Sequence, residues 1–185
     1  MTLDRQPHLT GDLIELRPAT RDDFDAQFAV ASDRLIWEVH PAHDRWQEPV
    51  FRAFFEAGIA SGGMLIAIDR ASGAVIGSSR YDFGRALAGE VEIGWSFLAR
   101  SYWGGRYNGE MKALMLAHAF GSVERVIFVI GEDNIRSRRA IERVGGKLTD
   151  RRFSAVMAGR EAEHVIYAID SETDVPLCKT DVSVR

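Results

Sequence analysis

The 185-residue sequence contains one cysteine, Cys178, which excludes an intrachain disulfide and suits a reducing compartment, so a cytoplasmic setting is expected. It lacks any apolar run approaching the roughly 18 residues of a membrane span, and no charged segment followed by an apolar stretch opens it. No membrane partner is expected. A positive net charge is also missing: Asp plus Glu outnumber Lys plus Arg by 27 to 23, for a formal charge of -4. No global attraction for nucleic acid follows, and any phosphate contact must come from local groups. Neither an internal repeat nor a low-complexity tract is present. With 46% hydrophobic and 27% charged residues, the length suits one core. Residues 1–170 are expected to form a single domain and 171–185 a C-terminal tail.

What is there reads as alternating strands and helices. Leu13 to Pro18 alternates apolar and polar residues and ends at a proline, as a first strand would. Thr20 can cap a helix whose Asp22, Asp23 and Asp25 complement its dipole, with Phe24, Phe28 and Ala31 on the apolar face. Ser32 to Glu48 has no clean period and carries Trp37, His40, Pro41, His43 and Trp46, which suits a loop at a binding surface. Pro49 opens a second helix with Phe51, Phe54 and Phe55 on one face. Met64 to Ile68, Ala74 to Tyr81 and Glu90 to Leu98 then read as three antiparallel strands. A helix containing Met111, Leu114 and Met115, a strand from Val123 to Ile130, and a helix capped by Asp133 or Asn134 follow. Lys147 to Val156 and Glu163 to Ile169 close the sheet. The pattern predicts an α+β, or mixed α/β, fold.

The centre of this arrangement is Glu90 to Phe120, where an aromatic-rich strand passes through Ala99 to Gly109 into a helix. The loop sets backbone amides at a helix N-terminus, which favours an anion such as phosphate. Two motifs carry a family resemblance: Trp103-Gly-Gly-Arg-Tyr-Asn-Gly-Glu110 after the alternating strand, and Asn134-x-x-Ser137-x-x-Ala140-x-x-x-x-Gly145 after the buried one. With the element order around them, the chain resembles the GNAT superfamily of N-acetyltransferases, and within it the branch acting on ribosomal-protein N-termini. The resemblance runs from about Leu13 to Asp170 and implies a mostly antiparallel twisted sheet of about six or seven strands. Helices would cover both faces, with a V-shaped splay between the fourth and fifth strands. Against the family's pyrophosphate loop, Arg106 and Asn108 stand where small residues are usual, so the Arg106 guanidinium could narrow the loop or reach a phosphate.

From that resemblance follow acetyl-CoA as co-substrate, no metal, and direct acyl transfer to a primary amine, either a protein N-terminus or a small molecule. Ser96, Phe97, Leu98, Trp103, Gly104, Gly105, Arg106, Tyr107, Asn108, Asn134 and Arg139 would hold coenzyme A. Backbone amides near Ser96 to Leu98 would stabilise the oxyanion. Glu92 is the first choice for the base, with Glu90 the alternative according to strand register or a bulge near Gly94. Ser137 would serve the leaving thiolate, and Asn134 a pantetheine amide, with Asp133 beside it available as the cap. Trp37, His40, Arg80 and Tyr81 are candidates for the acceptor pocket. His40-x-x-His43-Asp44 on a proline-containing loop is a poor metal motif. The same fold would also support a non-catalytic acyl-CoA sensor, and a homodimer is compatible with the sequence.

Overall fold

Along Met64–Ile68 successive side chains enter different cores: Leu65 and Ala67 join one buried cluster, Met64 and Ile66 the other. A strand with period-two side chains and no charged residue before Asp69 must be covered on both faces, and that requirement organises the fold. The computed structural model describes residues 2–172. Its elements run Leu9–Thr10 (β1), Ile14–Pro18 (β2), Phe24–Ala31 (α1), Glu48–Ser61 (α2), Met64–Asp69 (β3), Val75–Asp82 (β4) and Glu90–Leu98 (β5). Then come Tyr107–Ala119 (α3), Arg125–Gly131 (β6), Ile135–Arg143 (α4), Lys147–Met157 (β7) and Arg160–Asp170 (β8). The end of the expected tail, with Cys178, lies outside the described residues.

The strands form one mixed sheet in the order β1-β2-β3-β4-β5-β6-β8-β7, antiparallel at every pair except β5 with β6. It has eight strands rather than six or seven. The added one, β1, is two residues long and carries too little periodicity to be read from sequence. Phe51, Phe54 and Phe55 of α2 pack with Trp37 and Phe97 on one face of the sheet. Met111, Leu114 and Met115 of α3, with Ile141 of α4, fill the other. Glu110, near the start of α3, is buried and accepts the amides of Asp12, Leu13 and Ile14 at 2.8–2.9 Å. That ties α3 to the turn before β2 and satisfies three donors that would otherwise be stranded.

Candidate active site

β5 and β6 pair only over Glu90↔Arg125, Val91↔Val126 and Glu92↔Ile127. Both continue, to Leu98 and Gly131, without pairing to each other. The parting follows from a bulge in β5. Arg80 of β4 faces Gly94 and Ser78 faces Phe97, so Trp95 and Ser96 together oppose Ser79. Trp95 has φ +52, a left-handed backbone uncommon for a bulky side chain. Such a bulge bends its strand and raises the local twist. The V-shaped gap implied by the resemblance is therefore present. The bulge also reverses side-chain parity: Val91 and Ile93 enter the α3 cluster, but beyond it Phe97 enters the α2 cluster and Leu98 the α3 cluster. Glu92 and Ser96, four residues apart, thus point to opposite faces. Both still reach the cavity that passes through the gap.

Two cavities meet there, sharing His40, Ser96, Asn108, Asn134, Ser137 and Ala140. The outer one, about 270 Å³, lies where the N-termini of α3 and α4 converge. Their free amides and dipoles make this end electropositive, and Arg136 and Arg143 on its wall add to it. Gly104, at φ +71, turns the loop into α3 in a conformation that side-chain-bearing residues rarely adopt. Trp103 Nε1 donates to the Leu98 carbonyl at 2.9 Å, and the Arg136 guanidinium sits 4.0 Å over the Trp103 ring. Arg136 Nη2 also donates to the Ile36 carbonyl at 3.0 Å, joining α4 to the loop that closes the site. That loop comes close because Gly131 has no side chain: a Cβ there would stand 2.5 Å from Pro41 Cγ.

The inner cavity, about 150 Å³, holds buried charge. Glu92 is 1% exposed and receives Arg85 Nε at 2.8 Å and Nη2 at 2.6 Å. Burial pushes its pKa up to about 7 against the pull of Arg85. The Arg85 guanidinium lies 4.7 Å from the Trp95 ring and 4.9 Å from that of Phe153. Lys112 of α3, 3% exposed, donates to Ser96 Oγ at 2.5 Å and Ser79 Oγ at 3.4 Å. Burial lowers its pKa to about 7. His40 is held well below its ordinary pKa by burial and then by Arg45. Its Nδ1 accepts the Ala42 amide at 2.9 Å, so the neutral ring carries its proton on Nε2.

The structure brings together Glu92, Ser96, Asn108, Asn134 and Ser137 with His40 at this junction. Trp37, Phe97, Leu98, Trp103, Gly104 and Gly105 line the outer cavity. Other sequence-named residues lie apart. Arg106 precedes α3 and is exposed, as is Arg139, and neither lines a cavity. Tyr107 turns to Asp69, its hydroxyl donating to Oδ1 at 2.9 Å. Tyr81 is wholly buried beneath α3 and bonds the Met115 carbonyl, while Arg80 lies behind Trp95 at 4.5 Å. Glu90 pairs with Arg151 at 2.8 Å at the start of β5, away from both cavities. The cap of α4 is Asn134, which accepts the Ser137 amide at 3.2 Å, rather than Asp133. Arg45, Arg85 and Lys112 were not legible as site residues. For Lys112 a signal exists: it follows Asn108 by four residues, one helical turn. Among the described residues no group of three or more His, Cys, Asp or Glu is placed to hold a metal ion, and no helix is long and apolar enough to cross a membrane.

Residues 14–147 match the acetyltransferase (GNAT) domain model, so this chain belongs to that family of acetyltransferases. No curated protein matches it. Among solved structures it is similar to a GCN5-related N-acetyltransferase from Brucella melitensis, at 23% identity and TM-score 0.74, covering 90% of this chain and 79% of that one. A probable GNAT acetyltransferase from Chromobacterium violaceum gives 20% identity and TM-score 0.78, covering 90% and 87%. RimJ of Mycobacterium smegmatis, solved with CoA-disulfide, gives 20% identity and TM-score 0.70, covering 97% and 93%. At these identities the likeness establishes the shared fold.

Proposed function

We propose that the protein is an acetyl-CoA-dependent N-acetyltransferase that acts on a primary amine, a small molecule or a protein N-terminus, by direct attack in a ternary complex. The observation that carries this reading is the edge of β5 left without a β6 partner from Ile93 to Leu98, opening where two helix N-termini converge. An amide-bearing pantetheine arm fits such an edge, and phosphates suit the amides before α3 together with Arg136 and Arg143. The CoA-disulfide bound by the similarly folded RimJ supports the same ligand class. When bound, acetyl-CoA supplies the activated acetyl group.

The chain's own residues then have separable roles. Glu92 takes the proton of the incoming ammonium, directly or through water, and its pKa of about 7 keeps it both available and basic near neutrality. Arg85 orients that carboxylate by holding both of its oxygens. Ser137, at the junction of the cavities, carries the hydroxyl assigned to the departing thiolate. Asn134 fixes the first turn of α4, which positions Ser137. The catalytic domain is taken as residues 1–170, acting in the cytoplasm without a metal. Calorimetric titration with acetyl-CoA, followed by thiol release across an amine panel, tests the proposal. Absence of acetyl-CoA binding at millimolar concentration would sink it.

A further inference from the structure

The inner cavity has a charge balance opposite to that of the chain. Its wall carries Arg45, Arg85 and Lys112 against one carboxylate, Glu92, in a protein of formal charge -4. Arg85 and Glu92 neutralise each other through their two hydrogen bonds. Lys112 is directed to the hydroxyls of Ser96 and Ser79. Arg45 has no carboxylate at ion-pairing distance among the described residues, and its guanidinium lies 4.5 Å from the Phe54 ring and 5.5 Å from that of Trp37. Behind it Arg80, 5% exposed, also lacks an ion-pair partner, and its Nε has no hydrogen-bond partner. Burial and the neighbouring Arg80 lower the Arg45 pKa to about 10, which leaves it charged at neutral pH. A guanidinium stacked on aromatic rings and short of acceptors is arranged to receive an anion.

We propose that the acceptor is a small amine that also carries an oxyanion, of which a free α-amino acid is the simplest case, and that Arg45 pairs with this anion while Glu92 faces the amine. The proposal rests on the acetyltransferase reading for its chemistry and on the cavity's charge for its specificity. A purely cationic amine meets repulsion from Arg45, with Arg80 behind it, whereas a zwitterion brings the missing counter-charge with it. A peptide N-terminus has an amide where the amino acid has its carboxylate, so it forgoes that pair. The same positive field favours the neutral form of the amine, the form that attacks. The step balances: Glu92 takes one proton from the ammonium, the amine nitrogen bonds the acetyl carbon, the carbon–sulfur bond breaks, and the second proton lost by the nitrogen ends on the leaving thiolate, beside the Ser137 hydroxyl.

The test compares alanine, methionine and phenylalanine with their carboxamides, and with spermidine, in a thiol-release assay with acetyl-CoA. The amino acids are expected to exceed their amides in kcat/KM by about tenfold or more. Arg45→Gln should bring that ratio to within about twofold, and Arg45→Lys should restore part of it, with thermal melts confirming that both variants fold. Amides or spermidine turned over as well as the acids, or a ratio unchanged in Arg45→Gln, overturns the proposal. Binding of the N-acetylated acids and amides in the presence of coenzyme A, measured by calorimetry, does not depend on turnover. Acid-selective binding without turnover upholds the anion site and overturns the acetyltransferase reading. Equal binding of the two series, or none, overturns the anion site.

Discussion

The outer and inner cavities share six side chains, yet they carry positive charge in different ways. At the outer end it comes from backbone, through the N-termini of α3 and α4, supplemented by the exposed Arg136 and Arg143. Backbone amides depend on the helix beginning at that point, so the outer end tolerates side-chain variation. At the inner end the charge sits on side chains: the buried Glu92 and Lys112, and the partly exposed Arg85 that grips Glu92. There each group is set by one or two neighbours, and a single substitution changes both the chemistry and the stability.

The largest expected effect tests the inner end. Glu92→Gln should lower kcat by about 10²- to 10⁴-fold while leaving KM for acetyl-CoA nearly unchanged, as steady-state kinetics would register. A risen KM with kcat intact would instead make Glu92 a binding group. Because a base works deprotonated, kcat/KM should rise with pH through about 7. In Arg85→Gln the carboxylate loses the charge that opposes its burial, so that limb should move to higher pH.

Lys112→Met should have the next largest effect, on stability. Between pH about 7 and 10.5 the unfolded chain binds the Lys112 proton and the native one does not, so wild-type stability falls as pH drops through that window and is level below it. The variant lacks this loss. Its advantage in unfolding free energy should therefore grow by a few kcal/mol from about pH 10 to about pH 7, at roughly 1.4 kcal/mol per pKa unit. Denaturant melts at the two pH values measure it, and a constant difference would mean that Lys112 titrates normally.

Asn134→Ala comes third. It removes a helix cap and should cost about 1 kcal/mol of stability, with a rise in KM for acetyl-CoA because α4 frays at the junction. The smallest effects belong to the outer arginines. Arg136→Ala should raise KM for acetyl-CoA by about three- to tenfold at unchanged kcat, whereas Arg139→Ala should stay within about twofold, because both are exposed and only Arg136 lines the outer cavity. An equal response of the two would dissolve the distinction between the ends of the cleft.

Much of the order of elements was readable because helices and strands announce themselves locally: the phenylalanines of α2, the alternation in β5, the Asn134-to-Gly145 spacing of α4. The site was readable where motifs coincide with element ends, as at Trp103 to Gly105 and Asn134 to Ser137. Charged residues were harder. Lys112 stands two residues after Glu110 near the start of α3, and no local pattern says that a lysine there will turn inward to the serines of β4 and β5. Tyr107 and Arg106, named for their place in a loop motif, face the β3–β4 hairpin and open surroundings respectively.

What the sequence alone determined is the set of local elements and the family to which their order points, because periodicity, capping and turn residues act over a few neighbours. Only the tertiary structure decided which carboxylate reaches the cleft and which cations surround it. One bulge at Trp95 and Ser96 separates β5 from β6, reverses the facing of every side chain beyond it, and opens the space into which α3 extends Lys112. A one-residue change of register is invisible in local pattern, yet it moves side chains across the sheet, which is why the chemistry of this site is a property of the packed molecule.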